Sequence, residues 1–143
     1  MDKVEFKKIT ANCLKKNGFY QYKTWFYLDL DELFIGVKIV RSYYSDMYYL
    51  DYGVFVKSRW NNEEYRQTDP HKAEIRSRVG FCELEKHESS QYEAMLDKRL
   101  KEIFLPLEID GERKLRKRIK SKPEDYILIM PLEERKNWSP IWK

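Results

Sequence analysis

Residues 73–81, AEIRSRVGF, alternate apolar or small side chains with mostly charged ones at a period of two. Because successive side chains of a strand point to opposite faces of a sheet, this period predicts a β-strand with one core face and one polar face. The core face would carry Ala73, Ile75, Ser77, Val79 and Phe81, and the polar face Glu74, Arg76, Arg78 and Gly80. The rest of the chain must supply partner strands and a layer that covers the core face.

Three runs rich in aromatic and β-branched residues precede this strand, at about 22–29, 32–41 and 47–57. The sequences LDLDE and SYYSD that separate them contain Asp and Ser residues, which favour tight turns. A parallel crossover needs about a dozen residues or more, so connections this short join antiparallel neighbours. We therefore expect a meander, followed by one long polar loop at 58–71 that has neither the helical nor the strand period.

Two segments show the apolar period of a helix that packs on a sheet, residues 3–17 and about 90–104. For the second, Ser90 and Glu93 form a capping box, and Pro106 is expected to end the helix. The stripe of the first contains Phe6, Ile9, Cys13 and Leu14, and that of the second Tyr92, Met95, Leu96, Ile103 and either Arg99 or Leu100. Both helices are expected on the core face of the sheet.

Together these elements predict a single α+β domain over residues 1–143. Its core would be an antiparallel β-meander sheet of about four to five strands with helices packed on one face. Hydrophobic residues make up 42% and charged residues 36% of the chain, a balance that excludes a disordered chain. The run YILIMP fits either a strand or a buried turn.

The location of the protein follows from what the sequence lacks. No run approaches the roughly 18 apolar residues of a membrane helix, so we expect a cytoplasmic protein without a membrane partner. Cys13 and Cys82 lack the spacing of a redox or zinc motif and are expected to be buried thiols.

Three segments in this order resemble a bacterial family known as domain of unknown function 4304. They are CLKKNGFYQYKTWFYL, MYYLDYGVFVKSRW and AEIRSRVGF. The resemblance covers about residues 9–107 and leaves 108–143 as a basic C-terminal extension. It implies a compact α+β domain of bacterial origin and carries no catalytic residues with it. Members resemble small proteins found near toxin and defence genes, which implies an immunity-type binding role.

The first candidate site is the polar face of the strand at 73–81. Arg76 and Arg78 project the same way, and paired guanidinium groups suit a phosphate or a carboxylate. The alternative is that they only form ion pairs with Glu74 and neighbouring acids on a solvated face. An enzyme acting on a phosphorylated small molecule would need a pocket that unites both arginines with an acid or a histidine.

The second candidate site is the tyrosine-rich hairpin and the loop that follows it. Exposed Tyr48 and Tyr52, together with Arg59 and Trp60, would suit a protein interface, because Tyr, Trp and Arg carry most of the binding energy of such interfaces. The alternative is that the tyrosines only stabilise strands.

The third candidate is the segment 112–122, which holds seven Lys or Arg and one Glu. Its net charge of +6 leaves −2 for the rest of the chain, because the whole chain carries +4. A basic helix here would contact nucleic-acid backbones, or it would dock through Leu115 and Ile119 with its lysines solvated.

Catalysis has little support, because His71 and His87 are the only histidines and neither has a nucleophile at motif spacing. Asp29, Asp31 and Glu32 occupy a predicted turn, where acids are common without a cation. The sequence therefore predicts a non-enzymatic protein-binding domain without cofactor or metal, toxin-neutralising or regulatory. A nucleic-acid-binding protein is the alternative.

Overall fold

The computed structural model describes residues 1–139. Six strands form one antiparallel sheet in their order along the chain, which confirms the predicted meander and α+β class with more strands than expected. The elements are α1 (Lys3–Lys16), β1 (Tyr20–Tyr22), β2 (Trp25–Asp29), β3 (Leu33–Arg41), β4 (Met47–Val56), β5 (Ile75–Glu83), α2 (Ser89–Ser121), β6 (Ile127–Leu128) and α3 (Leu132–Trp138). No helix in this range is both long and apolar enough to cross a membrane.

The two additional strands lie at the edges of the sheet. The predicted run 22–29 contains β2, the turn before it and only the last residue of β1, which begins at Tyr20; Lys23 in this turn has a positive φ of 57°. Two-residue hairpin turns require such a conformation, and no Gly or Asn marks it in the sequence. At the other edge, β6 from the run YILIMP pairs with Ile75 and Arg76 of β5.

Helices α1 and α2 cover one face of the sheet with a continuous apolar core. Phe6 of α1 stacks on Tyr48 of β4 with ring centroids 4.8 Å apart. Phe104 of α2 meets Tyr52 of β4 edge-on at 5.2 Å. The prediction of helices on one face is therefore confirmed.

The opposite face, called the outer face below, is covered only in part. The segment between β4 and β5 folds into three short 3-10 turns, which pack a second apolar cluster against the sheet. This cluster contains Tyr27, Phe34, Phe55, Tyr65 and Ala73. The remainder of the outer face, near the turn between β3 and β4, is open.

A β-bulge in β5 changes the predicted alternation. Arg78 pairs with Asp51 of β4, and the next pair is Gly80 with Leu50, so one extra residue lies between them. Such an insertion moves all later side chains to the other face.

The outcome for the predicted core face of β5 is mixed. Ile75 and Val79 are buried as predicted, but Phe81 is exposed and Cys82 takes the core position. Ala73 precedes the strand and packs in the cluster on the outer face instead. The prediction was therefore wrong for Phe81 and Ala73.

The N-terminus of α2 differs from the predicted capping box. The helix begins at Ser89 after Glu88, whose side chain makes no capping hydrogen bond. Ser90 therefore lies within the first turn and does not cap it. The hydroxyl of Ser89 donates a hydrogen bond to Glu5 of α1, which ties the two helices together.

Pro106 does not end α2, contrary to prediction. The helix continues to Ser121 and changes direction at Gly111, whose φ is 54°. A proline lacks the N–H that would bond the carbonyl four residues earlier, here that of Glu102. Arg118, beyond the kink, donates to this carbonyl at 2.9 Å and to the carbonyl of Ile103 at 2.6 Å. The carbonyl of Glu102, which Pro106 leaves without a helical donor, thus accepts a hydrogen bond from another residue of α2.

Candidate functional site on the outer face

Arg78 lies on the outer face of β5 and is held by two neighbours on β4. Its guanidinium carbon lies 4.0 Å from the centroid of the Tyr49 ring. Its Nε donates to Asp51 Oδ1 at 2.7 Å, while about half of the side chain stays exposed. The cross-strand ion pair that the sequence left open as an alternative is therefore present for Arg78.

A small charge network extends from this pair toward the loop. Asp51 Oδ2 lies 3.4 Å from Nε2 of His71. Asp69 accepts hydrogen bonds from Lys38 Nζ at 2.8 Å and from the backbone N–H of His71 at 2.9 Å. Burial raises the pKa of Asp69, but these hydrogen bonds outweigh it and hold the pKa below its ordinary value. The loop is thus fixed to the sheet by ordered charges.

Arg76 lies two residues before Arg78 on the same face, opposite Gly53 of β4. Its Nε is buried and has no hydrogen-bond partner among the described residues. Arg76 and Arg78 both line a pocket of about 340 Å³, together with Asp51 and His71. The two predicted arginines, an acid and a histidine therefore share one concave site.

Tyr48 and Tyr52 are buried in the core beneath α1 and α2, although Tyr52 also lines the pocket that contains Arg76 and Arg78. Burial raises the pKa of Tyr52. A partner cannot reach Tyr48, and this part of the predicted site was wrong. The strand period correctly placed the two on one face, but that face is the one that the helices cover.

Arg59 and Trp60 serve the fold. Both converge on Glu74, a buried carboxylate: Trp60 Nε1 donates to it at 3.3 Å, and an Arg59 nitrogen lies 3.7 Å from it. Arg59 also donates to Glu134 of α3 at 2.7 Å. Of the predicted site residues, Arg76, Arg78 and Tyr52 line this pocket, whereas Arg59 and Trp60 lie outside it and contact Glu74.

The three most exposed aromatic residues of the described range lie at one end of the sheet. Tyr43 and Tyr44, in the turn between β3 and β4, are 98% and 96% exposed, and Phe81 is 57% exposed. Phe81 of β5 is the strand partner of Tyr49 of β4, and the Tyr49 ring lies against Arg78. We call this set (Tyr43, Tyr44, Tyr49, Arg78 and Phe81) the aromatic–arginine surface. The sequence feature that could have indicated this surface is the SYYSD turn. Strand propensity does not explain tyrosines in a turn, so their presence there points to another role.

The basic segment is docked as its alternative interpretation expected. Leu115 and Ile119 are fully buried. The guanidinium of Arg116 lies 3.8 Å from the ring centroid of Trp138, which is itself buried and fixes α3 to α2. Trp142, the other tryptophan of this end, lies outside the described residues.

A second cleft, of about 490 Å³, lies between α2 and β5. Arg99, Arg118 and Lys122 line it together with Arg78. Arg99 is exposed and donates to the carbonyl of Val79 at 3.0 Å, so Leu100 completes the apolar stripe of α2.

The thiols give no sign of reactivity. Cys13 and Cys82 are free and buried, as predicted. Burial raises the pKa of Cys13 to about 11, which leaves almost no nucleophilic thiolate near neutral pH. Within residues 1–139, no group of three or more potential ligands could hold a metal ion.

A family model described as Domain of unknown function (DUF4304) matches residues 10–121. The match extends past residue 107 and so includes the basic segment almost to its end. No curated protein and no solved structure shows significant similarity to the chain.

Proposed function

Because the chain belongs to the family domain of unknown function 4304, a name that specifies no activity, we propose its function from the geometry. It is a non-enzymatic protein-binding domain, and its contact region is the aromatic–arginine surface. The observation that carries this proposal is the near-complete exposure of Tyr43 and Tyr44. Two adjacent aromatic rings in water contribute nothing to the core, whereas tyrosine is enriched where proteins meet.

The neighbours of these tyrosines support the same function. Arg78 is held in place by Tyr49 and Asp51 before any partner arrives. A side chain that is ordered in advance loses less conformational entropy when it binds. Arginine beside exposed aromatic rings is typical of interface hot spots, and Arg78 would pair with an acidic group of the partner.

A protein of this kind acts by occlusion. Its aromatic side chains would bury against the partner and cover a functional surface there, without making or breaking a bond. Neutralisation of a toxin and regulation of an enzyme both fit this mode of action. We propose the product of an adjacent gene as the partner.

The experiment is a titration of the purified protein with the product of the adjacent gene. We expect a specific complex, and we expect Tyr43→Ser combined with Tyr44→Ser to weaken it by about 2 kcal/mol or more, as for hot-spot residues. Ile109→Ser is the matched control, because Ile109 is 79% exposed on α2, away from this surface. A missing complex, or equal affinity of the double variant, would contradict the proposal.

The alternative function, nucleic-acid binding through residues 112–122, rests on the exposed lysines of this segment, Lys117, Lys120 and Lys122. Its arginines are engaged within the fold: Arg113 with Asp110, Arg116 with Glu112, and Arg118 with backbone carbonyls. Oligonucleotide binding measured at two salt concentrations separates the two functions, since binding to phosphates weakens steeply as salt rises.

A further inference from the structure

Arg76 is a cation without a partner among residues 1–139. Its Nε is buried and unpaired, and the side chain makes no ion pair or ring contact with another residue of the range 1–139. Buried donors in folded proteins almost always have a partner, and an orphan is costly to keep. Within residues 1–139 nothing neutralises the charge of Arg76, so this charge is available to a ligand.

The surroundings of Arg76 form a site of the right size for a small molecule. The pocket of about 340 Å³ falls within the range of about 300–1,000 Å³ that is typical of ligand sites. The acidic and basic residues that line it are Asp51, His71, Arg76, Arg78, Glu124 and Asp125, and Tyr52 lines it as well.

The charges in the pocket are complementary to a ligand that carries both signs. Arg78 and Asp51 neutralise each other, and His71 faces the second oxygen of Asp51. This leaves Arg76 as the free cation, while Glu124 and Asp125 are exposed carboxylates without an ion pair in the described part of the chain. A dianion would be repelled by these two carboxylates, whereas a ligand with one carboxylate and an ammonium group would not.

We propose that this pocket binds a small amino-carboxylate, of which a basic amino acid is the simplest example. The carboxylate accepts two parallel hydrogen bonds from the two terminal NH2 groups of Arg76, an end-on bidentate arrangement that guanidinium groups can adopt. The ammonium group of the ligand faces Glu124 and Asp125. The pocket shares Arg78 with the aromatic–arginine surface, but the ligand is held by Arg76, Glu124 and Asp125, which the protein contact proposed above does not use.

The test is a titration of the full chain with L-lysine, acetate and inorganic phosphate at equal ionic strength. The readouts are the NMR resonance of the Arg76 Nε–H and the Tm. We expect L-lysine to shift the resonance saturably and to raise the Tm, with weaker effects from acetate and the weakest from phosphate. Tighter binding of phosphate than of L-lysine, or no response to any of the three, would overturn the proposal.

The variant Arg76→Met tests the same pocket in two ways. Affinity for L-lysine should fall by at least about tenfold, because two charge-assisted hydrogen bonds are lost. Without ligand the Tm should stay equal or rise, since the substitution removes an unsatisfied donor. A lower Tm without ligand would show a structural role for Arg76, and unchanged affinity would show binding elsewhere; either result overturns the proposal.

Arg113→Met is the matched control, because Arg113 is highly exposed on α2 and outside the pocket. It should bind L-lysine as the unaltered chain does. The Tyr43 and Tyr44 variants leave this pocket intact, so failure of the protein-binding proposal and failure of this one are distinguishable.

Discussion

Glu74 has an environment that the strand period alone could not reveal. The alternation of residues 73–81 predicts a solvated acid, but Glu74 is buried on the outer face. It accepts hydrogen bonds from the backbone N–H of Val56 at 2.5 Å and from Trp60 at 3.3 Å. The partners come from a loop without periodicity, so no local pattern marks them. Trp60 could be predicted as an interface residue because no local pattern shows that it bonds to Glu74.

Two glycines allow the loop to rest on the sheet. A Cβ atom at Gly53 would lie 2.1 Å from the carbonyl oxygen of Pro70 and 2.7 Å from Cβ of Ala73. A Cβ at Gly36 would lie 2.6 Å from Cγ of Pro70. Since backbone cannot yield as a flexible side chain can, these positions require glycine for the close approach of the turn Pro70–Lys72.

At this scale we predict that Gly53→Ala lowers the free energy of unfolding by about 1–3 kcal/mol, the usual cost of overpacking. The measurement is urea denaturation. Gly80→Ala is the matched control in the neighbouring strand, because a Cβ there meets nothing within 4 Å. Equal stability of the two variants would mean that the loop does not press on the sheet at Gly53.

At the scale of elements, the sequence predicted most helices and strands and missed the features that depend on distant partners. The bulge in β5 is a feature of its pairing with β4, and the carbonyl of Glu102 that Pro106 leaves without a helical donor is bonded by Arg118, sixteen residues later. Alternation also established that Tyr48 and Tyr52 share a face, but not which face the helices cover. This unknown explains why Tyr48 and Tyr52 were predicted on an exposed surface but lie in the core.

We predict that Arg118 and Pro106 are energetically coupled. Arg118→Met should cost about 1–3 kcal/mol, because it leaves the carbonyl of Glu102 without a donor. In a Pro106→Ala background the cost should be smaller, since residue 106 then supplies the helical N–H itself. A double-mutant cycle by urea denaturation measures the coupling.

Lys117→Met is the control for this cycle, because Lys117 is exposed on the same segment. It should show no coupling to Pro106→Ala. Additive effects of Arg118→Met and Pro106→Ala would contradict the role assigned to Arg118.

At the scale of the whole molecule, the outer face is held by acid–base contacts, so the stability of the fold should depend on pH. Asp29 accepts hydrogen bonds at 2.6 Å from both Lys57 and Arg66. Burial raises its pKa, but these bonds outweigh the effect, and the pKa of Asp29 lies below the ordinary value of 3.8. The pKa of Asp69 is lowered in the same way by Lys38 and His71.

A carboxyl group with a depressed pKa stabilises the fold above its ordinary pKa, and this stabilisation is lost as the pH falls. We therefore predict that the free energy of unfolding decreases as the pH falls from about 5 to 3. Asp29→Asn combined with Asp69→Asn should make this decrease shallower in urea denaturation. Asp31→Asn, in the same turn as Asp29, should leave it unchanged; an equally steep curve for the double variant would refute the assignment.

The central claim is that the aromatic–arginine surface is where this protein meets another. Hydrogen–deuterium exchange of the free protein and of its complex with the adjacent gene product tests it most directly. The account predicts slower exchange in the complex at the turn between β3 and β4 and along β5 near Arg78 and Phe81. Protection confined to the segment 112–122, with the tyrosine turn unchanged, would contradict it.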